Sequence, residues 1–309
     1  MLSVVIPIYN EEEVLEELIK RTVPAIESFI DNYEIIFVDD GSTDKSLDTL
    51  LSFRNKNPRI KILSLSRNFG HQIAYTAGLE HASGDIVAMM DGDLQDPPEI
   101  LPEMYKRICT EGYDVVNGRK KARKEKLQRK VCMSIFHFLF KKITGLKNIE
   151  NAGNFSMMKR CAVNAIISFG ENMRYLPGIR SYIGFKQGYV DYIRDERFTG
   201  KSKMTIKKLL RLACDAIFSF SKFPLQVCYF LGIIGVIVFM VAGIIVLVGQ
   251  AAHLAMPGWS STLLSIYFLG SVQLIFLGII GEYVYRGYKE SQNRPVYFVK
   301  NFYGGTFDA

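Results

Sequence analysis

Along the first two hundred or so residues, apolar runs of strand length alternate with segments of helical period. "LSVVIPIYN" predicts a first strand, and "EEEVLEELIKRTVPAIESFI" predicts an amphipathic helix whose first-turn acids suit the helix dipole. "YEIIFVDDGSTD" predicts a second strand ending in two aspartates, and "STDKSLDTLLSF" opens a helix from a capping position. "IKILSLS" and "DIVAMMDGD" supply two more strands. The alternation predicts an α/β fold, a Rossmann-like parallel sheet covered by helices, over residues 1–195.

The pattern then changes. Between Lys222 and Glu282 there is no Asp, Glu, Lys or Arg, and a water-solvated surface needs charges, so this stretch implies lipid as its solvent. Two spans are predicted, about 227–249 and 262–285, each long enough to cross roughly 30 Å of hydrocarbon as a helix. Pro257 and Gly258 turn the chain between them, and Trp259 suits the interface. The expected layout is therefore an α/β domain at 1–195, amphipathic interface helices at 196–224, a transmembrane hairpin at 225–286 and a tail at 287–309.

Charge sets the orientation. Lys201, Lys203, Lys207, Lys208, Arg211 and Lys222 precede the hairpin, Arg286, Lys289, Arg294 and Lys300 follow it, and the connecting loop carries no charge. Both termini and the α/β domain are expected in the cytosol, since the N-terminus shows neither a basic leader nor a signal-type apolar core. Cys109, Cys132, Cys161, Cys214 and Cys228 are odd in number and lack paired or metal-type spacing, in keeping with a reducing compartment.

Two acidic pairs fall at predicted strand ends: Asp39 with Asp40, and Asp91 with Asp93. Carboxylates one residue apart at a strand end suit a hard divalent cation that bridges nucleotide phosphates. The competing reading is of turn aspartates capping the next helix. A dinucleotide-binding Gly-x-Gly-x-x-Gly is missing after the first strand, where "IPIYNEEE" can instead offer Pro7 and Tyr9 to a flat base and Glu11 to a ribose or ring edge. Asp96 and Glu99 are expected to cap the helix that starts at Pro97 and Pro98.

"VVIPIYNEEE", "VDDGSTD", "LSRNFGHQIAYTAGLEHASGD", "DGDLQDPPE" and "RFTGKSK", in this order and ahead of a hairpin ending "FLGIIGEYVYRGYKESQNRPVYFV", resemble the family 2 glycosyltransferases that charge polyprenyl phosphates. The bacterial bactoprenol or undecaprenyl-phosphate glucosyltransferases of O-antigen glucosylation are the nearer likeness, and dolichyl-phosphate mannose synthase a more distant one. The resemblance covers almost the whole chain and implies a GT-A fold. It also implies an enzyme of the bacterial inner membrane, metal-dependent with Mg2+ or Mn2+. The reaction implied is an inverting transfer of a hexose, glucose from UDP-glucose, to undecaprenyl phosphate. GlcNAc, mannose or an aminoarabinose-type sugar, or a non-catalytic nucleotide-sugar-binding scaffold, are the alternatives. A processive polysaccharide synthase is disfavoured because Gln-x-x-Arg-Trp is missing and the single Trp is Trp259.

Carried over by position, Pro7, Tyr9, Glu11 and Asp39, with Asp40 beside them, hold the base and ribose. Arg67 belongs to the same substrate-binding set. Asp91, Asp93 and Gln95 surround the metal and diphosphate, and Arg119 and Arg129 grip the acceptor phosphate. Met133 stands where the family usually has a small hydroxyl residue, which puts that contact in doubt. Arg197 and Lys203 close on the diphosphate, with Gly200 letting the loop move. From Arg119 to Lys130 the run "RKKARKEKLQRK" holds eight basic residues and leads into the amphipathic "LQRKVCMSIFHFLFKK", so it is expected to face lipid. The partners implied are a nucleotide sugar, a polyprenyl phosphate, the bilayer, a flippase and a downstream transferase, with no nucleic acid. Relatives form tetramers, and the "RPVYFV" tail is expected to add a strand to a neighbouring copy.

One position departs from the family. Where relatives usually carry an aspartate, often as Gly-Asp-Phe, this chain has Asn154. A phosphate monoester has a second pKa of about 6, so the acceptor is largely a dianion at neutral pH and needs no base. Activity is expected, with Asn154 positioning a substrate hydroxyl or phosphate. Of the four histidines, His71, inside a family motif, is the one singled out for substrate contact.

Overall fold

The computed structural model describes residues 1–121, 152–170, 174–193, 223–251 and 258–305. The chain divides into two compact units, one of Met1–Lys141, Leu146–Ile206 and Arg294–Ala309, the other of Lys142–Gly145 and Lys207–Asn293.

In the first unit β1 (Leu2–Ile8), β2 (Tyr33–Asp39), β3 (Ile60–Leu65) and β4 (Ile86–Met89) run parallel. Every residue of β1 and β2 is buried, as a parallel sheet covered on both faces requires. The crossovers are α1 (Leu15–Glu27), α2 (Ser46–Lys56) and α3 (His71–His81). Helix α1 turns Leu15, Leu18, Ile19 and Ile26 inward and keeps Glu16 and Glu17 in its first turn.

Past β4 the sheet becomes mixed. A short 3-10 turn (Pro98–Ile100) leads into α4 (Leu101–Thr110), and β5 (Val115–Lys121), β6 (Ala152–Lys159) and β7 (Gln187–Ile193) extend the sheet. The strand order is β7-β5-β6-β4-β1-β2-β3-β8, with β6 antiparallel to both β4 and β5 and β7 parallel to β5. Met104 and Ile108 of α4 join Val116, Phe155, Val190 and Tyr192 in one apolar core.

The C-terminal tail also joins the sheet. Beginning at the last residue of "RPVYFV", β8 (Val299–Tyr303) adds antiparallel to β3, with Ile62 opposite Tyr303 and Ser64 opposite Asn301. Strand β3 would otherwise leave a row of unpaired backbone groups at the edge, and the tail supplies their partners within the chain. Tyr297 fastens it by donating to Glu80 Oε2 at 2.5 Å, and His81 stands edge-on to Tyr297 and Phe302.

The second unit holds two long helices, Phe223–Ala251 and Trp259–Ser291, over the two segments predicted to span. Large apolar side chains on both point outward, Phe230, Ile244, Val248, Phe268 and Leu274 among them. Among the described residues, Phe268–Ser291 is the stretch long and apolar enough to cross a membrane.

Candidate active site

Strands β1 to β5 and β7 run in one direction and β6 in the other, so one edge of the sheet gathers the carboxyl ends of the first group and the amino end of β6. On that edge stand Pro7, Tyr9, Asp39, Asp40, Asp91, Asp93, Arg119 and Asn154. Ligands of open α/β sheets bind at this edge.

A proline in a central strand needs an explanation, since it cannot donate to a neighbour. Val5 accepts from Met90 N at 3.1 Å and Ile8 accepts from Asp40 N at 2.9 Å, so odd-numbered residues of β1 direct their backbone groups toward β4. Strand β4 pairs with β1 only as far as Val5, and Pro7 lies just past that last partner. The chain after β4 then crosses close to the end of β1. A Cβ at Gly92 would come within 2.6 Å of Ile8 Cδ1, the end of a flexible side chain, and 3.1 Å of Pro7 O, so the glycine between the two aspartates eases this close crossing.

The loops after β1 and β2 are stitched together. Asn10, in the left-handed region at φ 53°, accepts from Thr43 N at 2.8 Å, and the Glu11 N–H donates to Ser46 Oγ at 3.0 Å. Asp39 accepts from Ser42 N at 3.0 Å and from Ser64 Oγ at 3.1 Å. Both oxygens of Asp40 are engaged by backbone, Phe69 N at 2.7 Å and Gly70 N at 3.0 Å, so this carboxylate anchors the turn that starts α3. Burial, with the charge of Asp39, raises its pKa against those two bonds. Arg67 is exposed, its guanidinium 4.1 Å from the centroid of Phe69.

Around Asp91 the geometry is tighter. Its Oδ1 accepts from the Tyr75 hydroxyl at 2.6 Å and lies 3.1 Å from His71 Nε2. Burial opposes its charge, but the His71 imidazole and the Tyr75 hydroxyl hold its pKa down at about 2. Asp93 accepts from Gln95 N at 3.2 Å, and Leu94 between them is buried at φ 57°. A branched side chain in that region costs on the order of 1–3 kcal/mol, so the turn that presents Asp93 is held by its surroundings.

Asp96 and Glu99 do not cap the following turn, and this corrects the expectation. Asp96 is buried, accepts from the Tyr192 hydroxyl and lies 3.8 Å from Lys120 Nζ. Burial and the charge of Asp91 lift its pKa to about 6. Glu99 instead receives both Nε and Nη2 of Arg21, each at 2.9 Å. Prolines at the start of the turn and of α4 already remove backbone donors, leaving less for a cap to satisfy.

On the α3 side, Asn154 Oδ1 accepts from Gln72 Nε2 at 3.1 Å and its Nδ2 is 3.5 Å from His71 Nδ1. Gln72 Oε1 in turn accepts from Leu176 N at 3.0 Å. Beneath this segment the buried Arg180 donates to Gly153 O at 2.7 Å, Asn154 O at 3.3 Å and Ser156 Oγ at 2.7 Å, and burial lowers its pKa to about 10. The pairing jumps from Asn117–Ser156 to Arg119–Ala152, so β6 bulges where Asn154 leaves the sheet for α3. Arg119 is paired with Asp191, at 2.5 Å from Nε and 3.1 Å from Nη2. Arg119 to Lys121 therefore finish β5 and do not form the start of a separate basic segment.

The sequence reading singled out His71 but not its contact with Asp91, and it missed Gln72, Tyr75, Lys120, Arg180 and Tyr192, whose roles come from contacts between segments far apart in the chain. Arg129, Arg197 and Lys203 lie outside the described residues, as do the basic run beyond Lys121 and the interface segment.

The donor set fits a hard divalent ion. Asp91 and Asp93 offer carboxylate oxygens one residue apart, which suits an ion that takes one or two carboxylates and completes its shell with water and substrate phosphates. Among the described residues no group of three or more His, Cys, Asp or Glu is placed to hold a metal ion by itself.

The model of the family described as glycosyl transferase family 2 matches residues 3–167. An uncharacterized glycosyltransferase of Synechocystis is 41% identical over 98% of this chain and 96% of its own length. A Shigella phage SfV protein named bactoprenol glucosyl transferase is 38% identical over 97% of this chain and 98% of its own length. Among solved structures, Mycobacterium tuberculosis glucosyl-3-phosphoglycerate synthase with Mn2+, UDP and phosphoglyceric acid is 20% identical, covers 71% of this chain and 76% of its own, and superposes with a TM-score of 0.52. The last likeness concerns the fold, a GT-A-like α/β sheet. With the family match spanning more than half of its residues and near full-length relatives above 30% identity, the chain belongs to glycosyl transferase family 2.

Proposed function

We propose that the protein transfers glucose from UDP-glucose to undecaprenyl phosphate, with inversion at C1, on the cytosolic face of the bacterial inner membrane. The observation that carries this reading is the acidic edge of the sheet, where Asp91 is held ionised beside Asp93 in a chain that is similar over nearly its full length to a bactoprenol glucosyl transferase.

In this reading Pro7, Tyr9, Glu11 and Asp39 receive the base and ribose, and Arg67 the neighbouring part of the donor. Asp91, Asp93 and Gln95 hold Mg2+ or Mn2+, which when bound supplies positive charge to the departing diphosphate. The acceptor phosphate, already a dianion, attacks C1 as the bond from C1 to the UDP oxygen breaks, and UDP leaves with that electron pair. Arg119 and Asn154 orient the acceptor, aided by Arg129, while Arg197 and Lys203 close on the diphosphate. The helices Phe223–Ala251 and Trp259–Ser291 act as the membrane hairpin that brings the domain to its lipid substrate.

The test is a transfer assay with full-length protein in detergent, undecaprenyl phosphate, Mg2+ or Mn2+, and radiolabelled UDP-glucose, UDP-GlcNAc or GDP-mannose. Label from UDP-glucose entering a lipid-extractable product, abolished by chelation, is the expected result. Label from another donor alone would move the assignment to that sugar, and binding without transfer would leave a nucleotide-sugar-binding scaffold.

A further inference from the structure

Arg119 is the one acceptor-binding arginine of the proposed reading whose surroundings are described, and its guanidinium is already engaged. Asp191 is its register partner across β5 and β7, and the two meet through a pair of nearly parallel bonds, 2.5 Å from Nε and 3.1 Å from Nη2. A guanidinium takes carboxylate and phosphate oxygens with the same two-pronged geometry, so one partner must leave for the other to bind that way. Its side chains are 49% and 31% exposed, so an incoming phosphate can reach the guanidinium from solvent. The Tyr189 ring, two residues before Asp191 on β7, also lies 5.6 Å from the guanidinium.

Strand alternation separates Arg119 from its neighbour Lys120. Lys120, the next residue, points to the opposite face, toward Asp96 and Gly153. Arg119 lies opposite Ala152 at the amino end of β6, two residues before Asn154.

We propose that Asp191 competes with the acceptor phosphate for the Arg119 guanidinium and thereby sets the apparent affinity for the polyprenyl phosphate. With no lipid bound, Asp191 keeps the arginine extended and its charge matched. When the acceptor arrives, its phosphate replaces the carboxylate, and after transfer the carboxylate helps to displace the product phosphodiester, whose charge is lower. This rests on the reading that Arg119 grips the acceptor.

The test is steady-state kinetics of full-length protein in detergent, with undecaprenyl phosphate and UDP-glucose varied separately. Asp191→Asn keeps shape and removes the competing charge, and Asp191→Ser is a second variant should the first fail to fold. The expected result is a KM for undecaprenyl phosphate lowered by about two- to fivefold, the range of an exposed ion pair, with the KM for UDP-glucose unchanged. Arg119→Ala is expected to raise the lipid KM by about tenfold or more and to erase the effect of the Asp191 change in the double variant. A lipid KM unchanged or raised by Asp191→Asn, with Arg119→Ala still harmful, overturns the competition and leaves the acceptor role of Arg119 standing. A fall in the UDP-glucose KM instead would mean that Asp191 guards the donor diphosphate, which also overturns it. If Arg119→Ala leaves the lipid KM unchanged, the acceptor role fails and the competition with it.

Discussion

His71 Nε2 and the Tyr75 hydroxyl converge on a single oxygen of Asp91, at 3.1 and 2.6 Å. The two donors come from successive turns of α3, four residues apart on one helix face. His71 thus orients Asp91, while Asp93 is presented by the strained turn at Leu94.

The two aspartates and their support should therefore differ sharply in the transfer assay. Asp93→Ala is expected to cut turnover by about a thousandfold or more, because the diphosphate loses its charge anchor. His71→Ala leaves Tyr75 in place and is expected to cost about tenfold, the effect of one hydrogen bond to a charged group. Near-normal turnover of the Asp93 variant would remove the clamp from the mechanism.

Asp96 now calls for a stability experiment. It is buried against the Tyr192 hydroxyl and Lys120, and removing it strands a buried donor. Asp96→Ala should destabilise the protein by about 1–3 kcal/mol, with Asp96→Asn, which still accepts from Tyr192, much milder. Thermal unfolding of both variants in detergent decides the matter, and equal melting temperatures for the two would show that the hydrogen bond contributes nothing.

A second buried carboxylate gives a pH signature. Glu34 accepts from Ser3 Oγ at 2.5 Å, Lys61 Nζ at 2.6 Å and Ser83 N at 2.7 Å. Burial pushes its pKa up, but the Lys61 and Ser3 bonds outweigh that and leave it below the ordinary 4.5. A depressed folded-state pKa contributes stability above the unfolded value and loses it as pH falls through the folded one. The melting temperature should accordingly drop as pH is lowered below about 4.5, and Glu34→Gln should flatten that drop while costing about 3 kcal/mol at neutral pH. A variant with the same acid sensitivity as the parent would assign the loss to other groups.

The fold's parallel half was legible because its strands are buried on both faces and read as unbroken apolar runs, such as "SVVIPI" and "EIIFVD". Its acidic pairs were legible because strand ends are marked by the runs themselves. What stayed hidden was pairing over distance. Nothing near Arg119 announces Asp191, and a charge run read as one solvated or lipid-facing segment is in fact divided, its first three residues completing β5. The tail's strand was missed for the same reason, since "VKNFY" runs on from "RPVYFV" with no signal in the sequence that the edge of β3 will receive it.

Topology is open to a direct test, because basic residues flank both predicted spans and the loop between them is uncharged. In a cysteine-free background, a thiol placed at Ser260 should react with an impermeant reagent from the outer side of the inner membrane, and one placed at Asp308 only after the membrane is breached. The opposite pattern would put the acidic edge on the wrong side for a cytosolic nucleotide sugar.

Asn154 tests whether the reaction needs a carboxylate base at all. Its amide accepts from Gln72 and sits with its NH2 toward His71 Nδ1, so Asn154→Asp keeps the first contact, loses the second donor and adds a charge to a site that already holds Asp91. If the acceptor dianion is its own nucleophile, turnover should rise with pH through about 6, following the second ionisation of the phosphate monoester. Asn154→Asp should then lower turnover modestly, by about two- to tenfold, since the new carboxylate repels the incoming phosphate and takes over no proton. Asn154→Ala should raise the KM for undecaprenyl phosphate more than it lowers kcat, as expected for a group that orients the acceptor. All three quantities come from one pH-dependent data set with UDP-glucose and undecaprenyl phosphate, and a large gain in turnover for Asn154→Asp, with its pH profile shifted toward an ordinary carboxylate range, would show that a base had been missing.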